Sequence, residues 1–332
     1  MQFLHRQSIG LVGGALALSA LMYFPALAQD WPTRPVTMVV PFAAGGPSDV
    51  ASRILAQYLS ESLRQQVIVE NVGGAGGVTG SARVAKAAPD GYQLVMGNSG
   101  THAYNQALYK KPSYNAATDF APVGLAYLSS KVLVVRKDLP VNTLQEFIDY
   151  TKQNQRKMQF GSAGSGSTSH ISCLLLNAAL GVDVVHVPYR GAAPVMQDLI
   201  GGRLDYMCDS TSTVLPQVQD KTIKALAVLA PKRTSALPDL ATADEQGLTG
   251  FDVDLWSGLF FPKGTPETIV RRLNQALNKA LDSPVLQKRF EALGLVVPAP
   301  EKRSSSYLAS LVPAEIDKWA GPIKASGVSM DQ

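Results

Sequence analysis

Small hydroxyl and glycine residues crowd the places where apolar runs end. Gly45-Gly46-Pro47-Ser48-Asp49 follows Val36–Val40, and Ser99 and Thr101 follow Tyr92–Met96. Ser162, Ala163, Ser165, Ser167, Thr168, Ser169 and His170 follow Met158–Phe160, while Asp209, Ser210 and Thr211 follow Leu204–Cys208. Backbone N–H and hydroxyl donors of this kind can hold a carboxylate without any cationic side chain. Each charge-assisted hydrogen bond contributes roughly 1.5–3 kcal/mol. Three to five of them reach about −8 kcal/mol, a micromolar affinity, after ordering costs. The competing account is that these serines and threonines only cap helices.

Other chemistries find less support. His102, His170 and His186 have no metal-ligand spacing with one another or with Cys173 and Cys208, so no metal site is expected. No serine of the 161–170 loop has glycine at both −2 and +2, so the nucleophile elbow of a hydrolase is missing. Gly74-Ala75-Gly76-Gly77-Val78-Thr79 approaches a dinucleotide fingerprint but ends on Thr79. It reads as a glycine-rich turn, and no cofactor is expected. Arg190, in the loop Pro188-Tyr189-Arg190-Gly191, could pair a second ligand charge or be a solvated surface residue.

The elements that would carry these loops alternate. Val36–Val40 is apolar and β-branched, as in a strand covered on both faces. Gly45 and Gly46 allow a sharp turn. Ser48 is suited to cap the helix that runs to Leu63, and Asp49 suits its positive end. Such a junction is either an anion site or simply a tight connection. Strands at 66–70 and 92–96 continue a βαβ pattern that predicts a parallel sheet. Phe120–Tyr127 and Lys131–Arg136 read as strands that could form one long segment. A second alternation runs from Met158 to Leu229, and a second crossing at 251–261 leads into a helix capped by Thr265 and opened by Pro266 and another started by Ser283-Pro284. The prediction is an α/β chain of two units joined by two crossings, with ligand in the cleft between facing strand ends.

The N-terminus begins Met-Gln-Phe-Leu-His-Arg, runs apolar from Ile9 to Leu27 and carries Ala26-Leu27-Ala28. This is a cleaved secretory leader over residues 1–28, the alternative being an uncleaved membrane anchor. The remaining chain exceeds one ordinary core, so two domains are expected. The net charge of +4 is scattered, without blocks of like sign, which argues against nucleic acid. Cys173 and Cys208 could form a disulfide or remain buried thiols.

The ordered motifs make the chain resemble the Bug family of periplasmic solute receptors for tripartite tricarboxylate transporters. The resemblance rests on Val40-Pro41-Phe42-Ala43-Ala44-Gly45-Gly46-Pro47-Ser48-Asp49, Ala88-Pro89-Asp90-Gly91-Tyr92 and Asp119-Phe120-Ala121-Pro122-Val123. It continues through the 162–170 loop, His186-Val187-Pro188-Tyr189-Arg190-Gly191, Trp256-Ser257-Gly258-Leu259 and Lys263-Gly264-Thr265-Pro266. It covers nearly the whole chain past the leader. The resemblance implies a two-domain Venus-flytrap fold, type II-like, with 29–128 plus 254–332 as one domain and 129–253 as the other. It implies a monomeric periplasmic receptor, not an enzyme, that delivers an organic acid to membrane transporter subunits. The acid would be a dicarboxylate, tricarboxylate, acidic amino acid or aromatic acid. A receptor signalling to a sensor kinase is the alternative, and a secreted hydrolase a more remote one. Carried over, the ligand residues are Phe42, Ala43, Gly45, Gly46 and Asp49 from the first loop. Ser162, Ala163, Ser165, Ser167, His170 and Asp209 come from the second domain, beside the candidates Ser99, Thr101, Tyr189 and Arg190. The family commonly has Arg-Pro after Glu-Asn, where this chain has Val72-Gly73.

Overall fold

The structure, a computed structural model, describes residues 31–249 and 251–329. The expected leader lies outside these residues. No helix among them is long and apolar enough to cross a membrane.

The chain enters through β1 (Val36–Val40), α1 (Pro47–Leu63), β2 (Val67–Asn71), α2 (Val78–Ala85) and β3 (Gln93–Asn98). As the β-branched run requires, β1 is almost wholly buried, and it pairs in parallel with both β2 and β3. A π-helical turn over Gly100–Tyr104 and the short α3 (Asn105–Leu108) lead to β4 (Phe120–Ser129). The second unit holds β5 (Lys131–Arg136), α4 (Leu144–Asn154), β6 (Gln159–Ser162), α5 (Thr168–Leu180), β7 (Val185–Pro188), α6 (Ala192–Ile200), β8 (Tyr206–Ser210), α7 (Thr211–Gln219) and β9 (Ile223–Val228). The chain then returns through β10 (Leu255–Pro262) to α8 (Glu267–Leu281), α9 (Pro284–Glu291), β11 (Leu295–Val296) and α10 (Ser305–Ala325).

Two sheets result, in the orders β11-β4-β10-β3-β1-β2 and β7-β6-β8-β5-β9. Each is mixed: the returning strand β10 runs antiparallel to β3 and β4, and β5 runs antiparallel to β8 and β9. The fold is the two-domain α/β architecture that the alternation predicts. The Phe120–Arg136 stretch is two strands, not one. It breaks at Ser130, whose carbonyl accepts the N–H and hydroxyl of Thr211, and the strands on either side belong to different sheets.

Apolar packing explains the layers. One core sets α1, α8 and α9 against the first sheet through Leu55, Leu59, Leu273, Leu277 and Phe290. A second fills the outer face of the other sheet with Val132, Val134, Val195, Leu199 and Met207. The largest runs through both units, from Val39 and Phe260 to Phe160 and Leu176.

Two caps differ from expectation. Gly46 flanks α1 and Pro47 opens it, so Ser48 lies inside the first turn and does not cap. Thr265 does not cap α8: Pro266 holds the N-cap position, and the Thr265 hydroxyl donates to the Pro262 carbonyl. Ser283 does cap α9, accepting from Leu286 N. Cys173 on α5 and Cys208 on β8 are joined in a disulfide, with Cα atoms 5.4 Å apart, which removes the free-thiol alternative.

Candidate functional site

The loop after β1 is shaped from beneath. Gly45 has φ +80°, a left-handed conformation that favours glycine, and its N–H donates to Asp49 Oδ2 at 2.9 Å. Arg53 donates to the same carboxylate at 3.1 Å and to Asn71 Oδ1 at 3.0 Å, while Asn71 Nδ2 donates to the Phe42 carbonyl at 3.1 Å. Burial pushes the Asp49 carboxyl up, but the Arg53, Gly45 and Asn71 hydrogen bonds outweigh it and hold the carboxyl below its ordinary value. Asp49 therefore organises the loop from behind it.

In the second lobe the serine loop folds on itself. Ser167 caps α5, accepting from His170 N, and Ser169 Oγ accepts from Ala163 N at 3.0 Å. Gly166 N donates to His170 Nδ1 at 3.1 Å. His170 stacks on His186 at 4.1 Å, and His186 Nε2 lies 2.6 Å from Ser162 Oγ. Burial pushes His170 down to about 3, with His186 adding to the effect, and pushes His186 down to about 4. Both imidazoles are neutral at pH 7 and offer an anion no charge. Ser162 is fully buried and its hydroxyl also accepts Gly164 N–H, so this Ser–His pair fixes the loop.

The lobes touch through main chain. Ala43 N donates to the Arg190 carbonyl at 3.1 Å. A Cβ on Gly76 would lie 2.0 Å from Ser165 O, and one on Gly191 2.8 Å from Ala43 Cβ. Between the lobes lies a narrow cavity. Phe42, Gly46, Ser48, Asn98 and Tyr127 line it from the first lobe. Ala163, Ser167, Thr168, Ser169, Asp209 and Ser210 line it from the second. Helices begin at this wall from both sides. Ser48 is in the first turn of α1, Thr168 opens α5, Ala192 opens α6, and Ser210 precedes α7. Their positive dipole ends favour an anion there.

Behind the second-lobe wall sits a buried cation. Lys131 Nζ is 2.9 Å from Thr168 Oγ1, 3.1 Å from Ser210 Oγ and 3.4 Å from Asp209 Oδ1. Burial pulls the ammonium below its ordinary value, and Asp209 opposes that pull. Asp209 Oδ1 also accepts Ser210 N at 2.6 Å, while Oδ2 is buried with no protein partner.

The sequence-derived candidates divide. Phe42, Gly46, Ala163, Ser167 and Asp209 line the cavity. Ala43, Gly45 and Asp49 support the first loop from outside it. Thr101 is tied to Asn98 and His102, and Ser99 is fully buried beside it, so it is Asn98 that lines the cavity. His170 and Ser165 line a separate open groove with Val182 and His186. Tyr189 donates to Asp198 at 2.5 Å. Arg190 is exposed and meets the first lobe through its carbonyl. Neither residue lines the cavity. Lys131, Asn98 and Tyr127 were missed. A lysine opening an otherwise apolar strand, Lys131-Val132-Leu133-Val134-Val135, is the one signal that pointed to any of them.

A hinged pair of α/β lobes closing on a donor-lined cavity defines a solute-binding protein. The chain belongs to the tripartite tricarboxylate transporter receptor family, whose profile matches residues 51–328. A protein of Agrobacterium vitis from the TAR-I ttuE-ttuC' intergenic region is 41% identical over 94% of this chain and 90% of its own length. The structure of the periplasmic binding protein BugD superposes with TM-score 0.88 at 41% identity, covering 91% of this chain and 100% of that one. MatC of Rhodopseudomonas palustris, solved with bound malate, gives 0.86 at 43% identity over 88% and 99%.

Proposed function

We propose that this protein is a periplasmic receptor that captures a small organic carboxylate between its lobes and presents it to the membrane subunits of a tripartite tricarboxylate transporter. In this reading residues 1–28 are removed on export, and the protein works as a monomer with lobes of 29–128 plus 254–332 and 129–253. It performs no chemical step. Ligand favours closure only to the extent that it binds the closed form better. The observation that carries the reading is the convergence of helix N-termini and hydroxyl groups on one interlobe cavity, where the buried Lys131 is already paired with Asp209. An anion held there is recognised by donors and dipoles. The bound malate of MatC supports a carboxylate of similar size.

The test is a thermal-shift screen of C4–C6 dicarboxylates, citrate, acidic amino acids and aromatic acids, followed by calorimetry. A specific acid raises the melting temperature by mass action. Absence of a shift with every acid refutes the carboxylate assignment, and turnover of an ester or amide substrate refutes the non-enzymatic one.

A further inference from the structure

The second-lobe wall has a direction of hydrogen bonding that can be read from Lys131. An ammonium has three donors and no acceptor. Its three neighbours are Thr168 Oγ1, Ser210 Oγ and Asp209 Oδ1, which account for all three donors. Each hydroxyl therefore accepts from Lys131 and turns its own hydrogen elsewhere. Both residues line the cavity. Asp209 spends Oδ1 on Lys131 and on Ser210 N. Its Oδ2 is buried without a protein partner on a side chain that lines the same cavity. A carboxylate oxygen left in that state needs a donor.

The wall thus offers two hydroxyl donors next to one charged acceptor. A ligand carboxylate satisfies the donors but repels Asp209 Oδ2. A ligand whose carboxylate stands beside a hydroxyl or ammonium group satisfies both. We propose that Lys131 is a positioning and specificity-determining residue, orienting Thr168, Ser210 and Asp209 so that the cavity selects hydroxy- or amino-substituted carboxylates over their unsubstituted counterparts. The proposal rests on the receptor reading above and narrows its ligand class.

Matched acids test it by calorimetry: succinate, malate and aspartate, then glutarate, 2-hydroxyglutarate and glutamate. They differ within each set only in the substituent. The wild-type protein is expected to bind the substituted members about 10- to 100-fold more tightly, the effect of one hydrogen bond to a charged group. In Asp209→Asn the amide oxygen must take the Oδ1 position, where Lys131 and Ser210 N donate, which turns the NH2 into the cavity. The preference should then vanish or reverse, a result that loss of packing alone does not give. Lys131→Met should weaken every acid and shrink the ratio within each set. Should Lys131→Met fail to fold, the wild-type ratio and Asp209→Asn still decide. Equal affinity within a set in the wild-type protein, or an unchanged preference in Asp209→Asn, overturns the inference and leaves the receptor reading standing. No binding of any acid in these sets or in the wider screen overturns both.

Discussion

Substituting Gly76 by alanine should weaken ligand capture by about two orders of magnitude while leaving both lobes folded. Gly76 belongs to the first lobe and meets the serine loop of the second. A Cβ there would stand 2.0 Å from Ser165 O and 2.8 Å from Ser167 N. Both neighbours are main chain, so neither can swing away as a side-chain end does. Relief requires separating the loops by about 1 Å, and overpacking of a close-packed contact costs about 1–3 kcal/mol or more. At about 3 kcal/mol the closed form is disfavoured roughly 150-fold, and apparent affinity falls by the same factor. The φ of +60° adds a local cost of about 1–2 kcal/mol to the first lobe, open or closed. This should lower the melting temperature of the free protein by only a few degrees. Gly202→Ala is the control: its φ of +72° carries the same local cost, but it lies away from the cavity and nothing stands within 4 Å of a Cβ there. Calorimetry with the acid found in the screen gives the affinities, and small-angle scattering shows whether ligand still compacts the protein. Binding by Gly76→Ala within about threefold of wild type would refute the lobe-contact reasoning, as would an equal loss in Gly202→Ala.

The His170–His186 stack, together with the buried His102 that burial also pushes down to about 3, contributes to a pH dependence of stability. Both rings of the stack are held neutral, near 3 and 4, against 6.5 when free. The unfolded chain therefore binds more protons between about pH 4 and 6.5, so stability is full above that window and falls as pH drops through it. Urea unfolding between pH 7 and 4.5 should show this decline, and His186→Gln should make it shallower; an unchanged slope would disconnect the stack from it. The Cys173–Cys208 disulfide closes a loop of sequence separation 35. The paired Cys→Ser variant should lose about 3–4 kcal/mol by denaturant melts, and a loss below about 1 kcal/mol would show that the loop is ordered without it.

The sequence was most informative where one local pattern decides the outcome. Val36–Val40 reads as a doubly covered strand because all but one of its side chains are apolar, and no polar face remains to be turned to solvent. The 161–170 loop was legible because glycines and serines leave no other role at a strand end. What escaped depends on pairing across the chain. Lys131 is buried because β5 pairs it with Ser210 of β8, a register no local pattern encodes. Asn98 lines the cavity where Ser99 does not, because the π-helical turn buries Ser99 and Thr101 behind it. Arg190 looked like a ligand for charge, yet the contact it makes is through its carbonyl, where side-chain chemistry says nothing.

The two crossings carry a mechanical consequence. β4 and β10 are neighbours, and Leu255 pairs with Ser129 where both strands leave the first sheet. Beyond that point Val253 N donates to Leu229 O and Leu229 N donates to Lys131 O, so Leu229, just past β9, bridges the outgoing and returning chains as they pass. Both pins of the door hang on the same jamb. Sliding or independent twisting of the lobes would tear this ladder, whereas rotation about its line would not. The protein thus has one inexpensive degree of freedom, which brings Gly76 to Ser165 and Ala43 to Arg190 in the same register each time it shuts.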